Sequence, residues 1–375
     1  MSTERQPEFV ACIVCGARGS ADAILNLILF VPLGVALALG GRTGFRPLLY
    51  AALLSSGIEL AQLVIPGRDP SLGDVCFNTL GATVGQVGAR VAWQWVVPED
   101  RTAARLSAGA SVLAVFLFGL TAALLAPTFP SSTYHVRWTH ALPELEWYHC
   151  RVLQAALGPL PLRSNDFLES RAVRPLLLAG VPIRLEAIAG PQAPGLGQLL
   201  SIHDEHHHEI VLIGPDRDDL VLRYGTRAAA LRLDQPDLRL RGALTHVAPG
   251  DTLRIEAWHN GNAYCLVLNH IGTCSLGFTL GSGWGLLLYP EHVPAWLQEL
   301  LGAAWVAALV LPMGLWARWR PETLLATGML LVGLFVLPRT AGLLPTPPAQ
   351  ILGAAGGCLL GVGLRSALRV RVPVC

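Results

Sequence analysis

The chain has 375 residues, of which 52% are hydrophobic and only 14% are charged, whereas an ordinary soluble domain carries about 25% charged residues. Its formal net charge is +1, which leaves no basic excess of the kind that binds nucleic acid. Apolar residues concentrate at both ends of the chain, and the middle is charged like a soluble domain. We therefore predict three regions, residues 1–127, 128–292 and 293–375, and no nucleic-acid partner.

Seven apolar stretches are candidates for membrane helices, because a bilayer core needs about 20 apolar residues per helix. They are residues 23–40, 48–66, 75–97, 107–127, 294–316, 323–338 and 348–364. The first four belong to the N-terminal region and the last three to the C-terminal region. The expected fold class is an all-α membrane bundle of about seven helices with an inserted all-β domain.

Arginines in the short loops predict the orientation, because cytoplasmic loops carry an excess of basic residues. If all seven stretches cross the membrane, one side receives Arg42, Arg46, Arg101, Arg105, Arg318, Arg320, Arg365, Arg369 and Arg371. The other side receives Arg5, Arg18, Arg68 and Arg339. We therefore expect a multi-pass protein of the cell membrane with a cytoplasmic C-terminus and an extracytoplasmic middle region.

The middle region, residues 128–292, has the pattern of an antiparallel β domain. Short strand-like stretches such as 182–188, 209–213 and 252–258 alternate with turns rich in Gly, Pro, Asn and Asp. Strands at this spacing, without helical patterns between them, predict an all-β sandwich. The pattern is also similar to that of concanavalin A-like and laminin-G-like domains.

The first three predicted helices carry polar residues at helical spacing. Residues three or four apart share one helical face, and the three faces point to one candidate binding cluster. Its members are Asp22, Asn26, Glu59, Gln62, Arg68, Asp74 and Asn78. Ionised groups in a membrane cost about 2.5–3.5 kcal/mol each, so these side chains need partners, water or a function.

Three interpretations of this cluster stay open. In the structural one, Arg68 pairs with Asp74 or Glu59 and the amides join the helices. In the second, the cluster binds a polar headgroup or a glycan-linked lipid. The third is catalysis by carboxylates, for which no Ser–His pair or metal signature supplies support. Catalytic residues are therefore unknown, and whether the chain is an enzyme stays open.

Two glycine series predict close helix packing rather than activity. They are Gly81, Gly85 and Gly88 in the third helix, and Gly353, Gly357 and Gly361 in the last one. Small residues four apart let two helix backbones approach each other in a membrane.

Histidines and acids in the middle region form candidate metal ligands, which we interpret as turns. The run 203–209 holds four histidines with Asp204, Glu205 and Glu209, but consecutive strand residues point to opposite faces and do not converge on one ion. The acidic turn around Asp216 to Asp219 has oxygen ligands suited to calcium and is also typical of a polar hairpin tip. We expect no metal and no cofactor.

Cys265 and Cys274 flank a hairpin signal centred on residues 269–272. A hairpin brings its two strands together, and an extracytoplasmic domain lets disulfides persist. We therefore predict a Cys265–Cys274 disulfide. A second pair, Cys12 and Cys15, is too isolated to indicate a zinc or redox motif.

Four blocks of residues, in the same order, resemble the VanZ-like family of bacterial membrane proteins. The matching residues are Asp22, Asn26, Phe30, Pro32 and Gly34, then Ser56, Glu59 and Gln62, then Arg68, then Asp74, Asn78, Gly81 and Gly85. The resemblance covers residues 22–90 and implies a membrane location and work at the cell envelope. The family takes its name from a teicoplanin-resistance protein, which adds glycopeptide resistance to the expectations. Members commonly have a preceding apolar helix, and the stretch 9–15 is too short to be one.

We expect a protein that binds cell-wall glycan or a lipid-linked precursor, through the polar cluster and the external sandwich, among membrane lipids. One alternative is a membrane enzyme that acts on a lipid headgroup through Asp22, Glu59 and Asp74. Another is a transporter or channel subunit. A polar path that continues to the cytoplasmic side would favour the transporter.

Overall fold

The structure is a computed structural model that describes residues 12–14, 16–65, 70–139, 145–290 and 293–371. Arg68 and Cys15 lie outside these ranges, as do residues 9–11 of the short apolar stretch.

The N-terminal region is helical. Its helices are α1 (Gly19–Leu39), α2 (Phe45–Gln62), α3 (Leu72–Arg90), the short α4 (Ala92–Val96) and α5 (Asp100–Leu125). The helix predicted over 75–97 is in fact two, because the backbone leaves the helical conformation at Val91 (φ −98°, ψ 14°). Helix α5 starts before the predicted residue 107, and the negative charge of Asp100 suits the positive end of its dipole.

Helices α1 and α3 approach each other at backbone contact. A Cβ atom added to Gly81 would meet the carbonyl oxygen of Leu27, and one added to Gly85 would meet that of Val31. From the other side, a Cβ on Gly34 would meet the carbonyl oxygen of Ala82. Glycine is therefore required along this seam by the close approach itself.

The middle region forms two antiparallel six-stranded sheets. In the first, the strand order is β4-β1-β6-β7-β8-β9, and in the second it is β12-β11-β10-β5-β2-β3. The strands are β1 (Thr133–Trp138), β2 (Arg151–Leu157), β3 (Leu160–Pro161), β4 (Phe167–Glu169), β5 (Ile183–Ile188), β6 (Leu200–His203), β7 (Glu209–Asp216), β8 (Asp219–Tyr224), β9 (Leu238–Leu240), β10 (Thr252–Asn260), β11 (Ala263–Leu268) and β12 (Ile271–Leu276). Two short helices, α6 (Ser170–Leu178) and α7 (Arg227–Ala230), interrupt them.

Both sheets bury apolar side chains in one common core. Ile202 and Leu222 contribute from the first sheet, and Leu185 and Ile255 contribute from the second. The alternation of buried and exposed residues along β5 and β10 is what a strand with one core face requires. The region therefore fits an inserted sandwich domain, whose relation to concanavalin A-like domains stays a prediction.

A disulfide joins Cys265 of β11 to Cys274 of β12. The two strands pair antiparallel, with a register shift between Tyr264 and Leu266. The bond therefore links the last two strands at the edge of the second sheet.

The C-terminal region is again helical and packs on the β domain. After a 3-10 helix over Leu280–Leu286 come α8 (Ala295–Trp316), α9 (Pro321–Phe335), the short α10 (Leu337–Thr340) and α11 (Pro348–Arg371). Phe118 of α5 and Val306 of α8 belong to the same buried cluster as the sheets. Helices α8 and α11 meet at glycines, because a Cβ on Gly357 would meet the carbonyl oxygen of Ala307.

Four helices are long and apolar enough to cross a membrane, judged on the part of the chain that the structure describes. They are Gly19–Leu39, Asp100–Leu125, Ala295–Trp316 and Pro348–Leu368. Their outward faces carry exposed leucines such as Leu29 and Leu359, as lipid-facing helices do. These helices fit a membrane protein. All seven predicted stretches coincide with helices, but seven crossings stay a prediction, since α2, α3 and the shorter α9 do not meet the same criteria.

Gly85→Ala should destabilise the protein, because its new methyl group meets the α1 backbone and pushes two helices apart. We expect a loss of about 3 kcal/mol, measured as the unfolding of the detergent-solubilised protein.

Gly88→Ala is the matched control, since a Cβ there meets nothing within 4 Å. It should leave stability unchanged or raise it by about 0.5–1 kcal/mol. Equal effects of the two substitutions would show that the α1–α3 seam is not close-packed.

Candidate functional site

The first turn of α1 is bound by a loop of the β domain. The backbone N–H groups of Ser20 and Ala21 donate to the carbonyl oxygen of Arg232, at 3.1 and 3.4 Å. Arg18, just before the helix, lies 2.9 Å from a carboxylate oxygen of Asp234. A helix start leaves its first N–H groups without partners inside the helix, so the β domain itself caps α1. Asp22 follows directly after the capped residues.

At this end of the bundle, Asp74 of α3 lies within electrostatic range of carboxylates from the other two helices. The side chain of Asn26 hydrogen-bonds to Asp74, and Asp74 lies within electrostatic range of both Glu59 and Asp22. Glu59 is buried and accepts a hydrogen bond of 2.8 Å from the backbone N–H of Ser71, the residue that caps α3. Four of the predicted cluster residues are therefore neighbours, one from each helix plus Asn26.

A second polar layer lies one helical turn further along α2 and α3. The side-chain amide of Asn78 donates to the hydroxyl of Ser55 at 2.9 Å, and both residues are buried. The carbonyl oxygen of the Asn78 side chain has no hydrogen-bond partner among the residues that the structure describes. A buried acceptor in this state costs about 1–3 kcal/mol, so this layer retains an unused polar atom.

An apolar layer closes the polar region on the side away from the β domain. Phe30, Ala51 and Ala82, one from each helix, form a buried cluster of their own. Beyond it on α3 lies Gln86, which is buried and whose amide nitrogen has no partner within the described part of the chain. The polar groups are therefore not continuous along the bundle.

The VanZ/LLP1 family model matches residues 3–93. These residues carry a VanZ-like domain. The resemblance deduced from the four residue blocks is thereby confirmed, and the domain includes α1, α2, α3 and the whole candidate cluster. No curated protein and no solved structure matches the chain.

Two predicted members of the cluster are not placed with the others. Arg68 lies outside the described residues, so its proposed pairing with Glu59 or Asp74 stays a prediction. Gln62 is half-buried near the end of α2, and its side chain makes no hydrogen bond within the part of the VanZ-like domain that the structure describes. The glycine series of α3, by contrast, has the packing role that the sequence indicated.

The histidine run of the β domain is organised as a turn around Asp204. One carboxylate oxygen of Asp204 accepts hydrogen bonds from the backbone N–H groups of His206 and His208, and the other lies 3.1 Å from the His208 ring. Burial raises the pKa of Asp204, but these hydrogen bonds outweigh it and hold that pKa below its usual range. Asp204 therefore stabilises the turn of this run. The described residues contain no group of His, Cys, Asp and Glu that could hold a metal ion.

His203, which precedes this turn on β6, is a buried neutral histidine. Its Nε2 atom lies 2.9 Å from the hydroxyl of Ser201, and none of the described residues hydrogen-bonds to its Nδ1 atom. Burial, followed by the nearby charge of Arg137, lowers the pKa of His203 to about 4. This ring therefore belongs to the interior of the sheet rather than to the exposed turn.

A buried ion network lies on the first sheet and was missed by sequence reasoning. Arg239 lies 2.5 Å from Asp216 and 2.9 Å from Asp237, and Arg223 lies 2.7 Å from Asp237. Burial would lower the pKa of both arginines, but the acids beside them raise it above its ordinary value. Asp216, which belongs to the acidic turn, is thus paired with Arg239. The only available signal was the alternation of arginine with leucine along β8 and β9.

Neutralising one acid of the cluster should stabilise the protein if these carboxylates repel each other and serve a ligand. Glu59→Gln and Asp74→Asn keep the hydrogen-bonding shape and remove one negative charge. We expect a gain of about 1 kcal/mol, seen as a higher unfolding temperature of the solubilised protein.

Asp100→Asn is the control, because Asp100 is an acid at the start of α5 and does not belong to the cluster. Asp100 accepts a 2.8 Å hydrogen bond from Arg318, so neutralising it should lower stability slightly. A loss of stability on Glu59→Gln or Asp74→Asn would instead assign these acids to structural ion pairs.

Proposed function

We propose that the VanZ-like domain binds the polar headgroup of a membrane lipid or of a lipid-linked cell-wall precursor, and that the β domain contacts the attached glycan. The observation that supports this proposal is the proximity of Asp74 to Asp22, Asn26 and Glu59, at the end of the bundle where a loop of the β domain caps α1. Carboxylates and amides accept hydrogen bonds from hydroxyl and amino groups. A headgroup with sugar hydroxyls or amines has the matching chemistry.

The apolar layer of Phe30, Ala51 and Ala82 supports binding over transport. A transported solute needs a path that continues through the bundle, and these three side chains separate the acids from Gln86. The transporter alternative therefore has less support than the binding function.

An enzyme that acts on a lipid headgroup is the second candidate. Its support is the proximity of Asp74 to Glu59 and Asp22, because neighbouring carboxylates can divide the roles of acid and base. The cluster residues Asp22, Asn26, Glu59 and Asp74 include no serine, cysteine or histidine. The contact of Ser201 with His203 is buried inside the β domain, so binding is the function we place first.

We further propose that the β domain is extracytoplasmic. The arginine bias of the loops supports this orientation, and the Cys265–Cys274 disulfide supports it independently, since disulfides persist outside the cytoplasm. The β domain contacts the start of α1 through Arg232 and the start of α11 through Gly281. If successive helices cross the membrane in opposite directions, the starts of α1 and α11 lie on the same side, where one β domain can contact both.

The orientation can be tested by cysteine labelling of intact cells with a reagent that does not cross membranes. Glu205→Cys, in the exposed turn of the β domain, should be labelled in intact cells. Thr43→Cys, in the exposed loop between α1 and α2, should be labelled only after lysis. The reverse pattern would place the β domain in the cytoplasm and overturn the proposed outer site.

The binding function can be tested with full-length protein in nanodiscs that contain an undecaprenyl-linked disaccharide, compared with undecaprenyl phosphate alone. We expect the glycan-bearing lipid to bind more tightly. Glu59→Gln and Asp74→Asn should weaken that binding at least tenfold, which is about 1.4 kcal/mol.

Asp100→Asn is again the control. Asp100 is the first residue of α5, at the end of that helix far from the β domain, so its substitution should leave binding unchanged. Equal affinity for the two lipids, or unchanged binding in both cluster variants, would contradict the proposal. Turnover of the lipid by the unaltered protein, lost in Asp74→Asn, would favour the enzyme instead.

A further inference from the structure

A cavity of about 230 Å³ lies where the β domain meets the C-terminal helices. Water occupies about 30 Å³ per molecule in the liquid, so the cavity has room for a group the size of roughly seven waters. Its walls come from the 3-10 helix, the start of α8 and the start of α11. None of these residues belongs to the VanZ-like domain, so the cavity is separate from the acidic cluster.

The deepest polar group of the cavity is the Gln350 side chain, which is 5% exposed. Its carbonyl oxygen accepts a 3.0 Å hydrogen bond from the backbone N–H of Gly281, and its amide donates to the Thr279 hydroxyl at 2.7 Å. A carboxamide has two N–H donors and two acceptor sites on its oxygen. Gln350 is thus held in one orientation and keeps a donor and an acceptor to offer.

The rim adds further hydrogen-bonding groups and an aromatic wall. Gln298 accepts a 3.1 Å hydrogen bond from Arg241 through its oxygen, which leaves its N–H₂ group to donate. Glu299 is exposed at the mouth. Trp284 and Tyr289 also line the cavity, with ring centroids 6.0 Å apart and planes 31° from parallel.

The lining selects against an anion. It contains the carboxylate of Glu299 and, within the described part of the chain, no arginine or histidine. Arg241 reaches the rim at Gln298, but Val293 and Asp219 also engage its guanidinium. A phosphate or carboxylate would therefore meet the repulsion of Glu299 with little cationic compensation. Amide, hydroxyl and carboxylate groups beside a tryptophan instead match a neutral group with many hydroxyls and one apolar face.

We propose that this cavity is a binding site for a neutral sugar unit, distinct from the acidic cluster of the VanZ-like domain. Glu299 and Gln350 hydrogen-bond its hydroxyls, and Trp284 packs against its apolar face. The cavity lies at the starts of α8 and α11, where two apolar helices begin. The sugar can therefore arrive as a free oligosaccharide or as the headgroup of a glycolipid.

The test uses full-length protein in phosphatidylglycerol nanodiscs. One arm adds soluble oligosaccharides of glucose, galactose or N-acetylglucosamine, and the other includes a monohexosyl-diacylglycerol in the bilayer. Binding in the first arm identifies a free glycan as the source, and binding in the second arm alone identifies a glycolipid. Either result supports the site if Glu299→Gln and Trp284→Leu each weaken binding at least about tenfold.

Glu322→Gln is the matched control, since Glu322 is also an exposed acid near the start of an apolar helix but lies on α9. It should leave binding unchanged, as should Glu59→Gln in the VanZ-like domain. Glu299 is exposed, so its substitution tests the site even if Trp284→Leu impairs folding. The proposal is overturned if neither probe binds, if Glu299→Gln binds as tightly as the unaltered protein, or if Glu59→Gln alone abolishes binding.

Discussion

The close approach of α1 and α3 is the constraint on which the candidate site depends. Gly81 and Gly85 face backbone carbonyl oxygens of α1, and no other residue leaves that space free. At this separation the short side chain of Asn26 reaches Asp74 across the seam. A wider spacing would let lipid or bulkier side chains enter between the helices and leave the polar groups without partners, which a membrane penalises heavily.

The β domain holds the site from above through one short loop. The carbonyl oxygen of Arg232 caps α1, and Asp234 binds Arg18 while its Oδ2 atom also accepts from the backbone N–H of Tyr289. Tyr289 in turn lines the cavity beside α8. One carboxylate thus connects the start of α1 to the wall of the proposed sugar site. A ligand that reaches from the VanZ-like domain to the proposed sugar site would contact two surfaces that this loop connects.

Periodicity could predict the helices, the strands of the β domain and the polar faces of α1 and α3, because it reports which residues share a face. Asp22 and Asn26 are four apart in one helix, and that spacing already places them together. The ion pairs of Arg239 and the hydrogen bonds of Gln350 could not be found this way. Their partners are fixed by strand register and by contacts between residues about 20 to 70 positions apart. The end of α3 at Val91 could not be predicted either, because apolar residues continue on both sides of it.

The polar face of α3 changes its surroundings along the helix. Asp74, Asn78, Ala82 and Gln86 follow one another at four-residue spacing, each about 6 Å further along the helix. Their partners change from acids, to Ser55, to the apolar pair of Phe30 and Ala51. Polar side chains are therefore buried near the β domain, whereas the next layer along α3 buries apolar side chains.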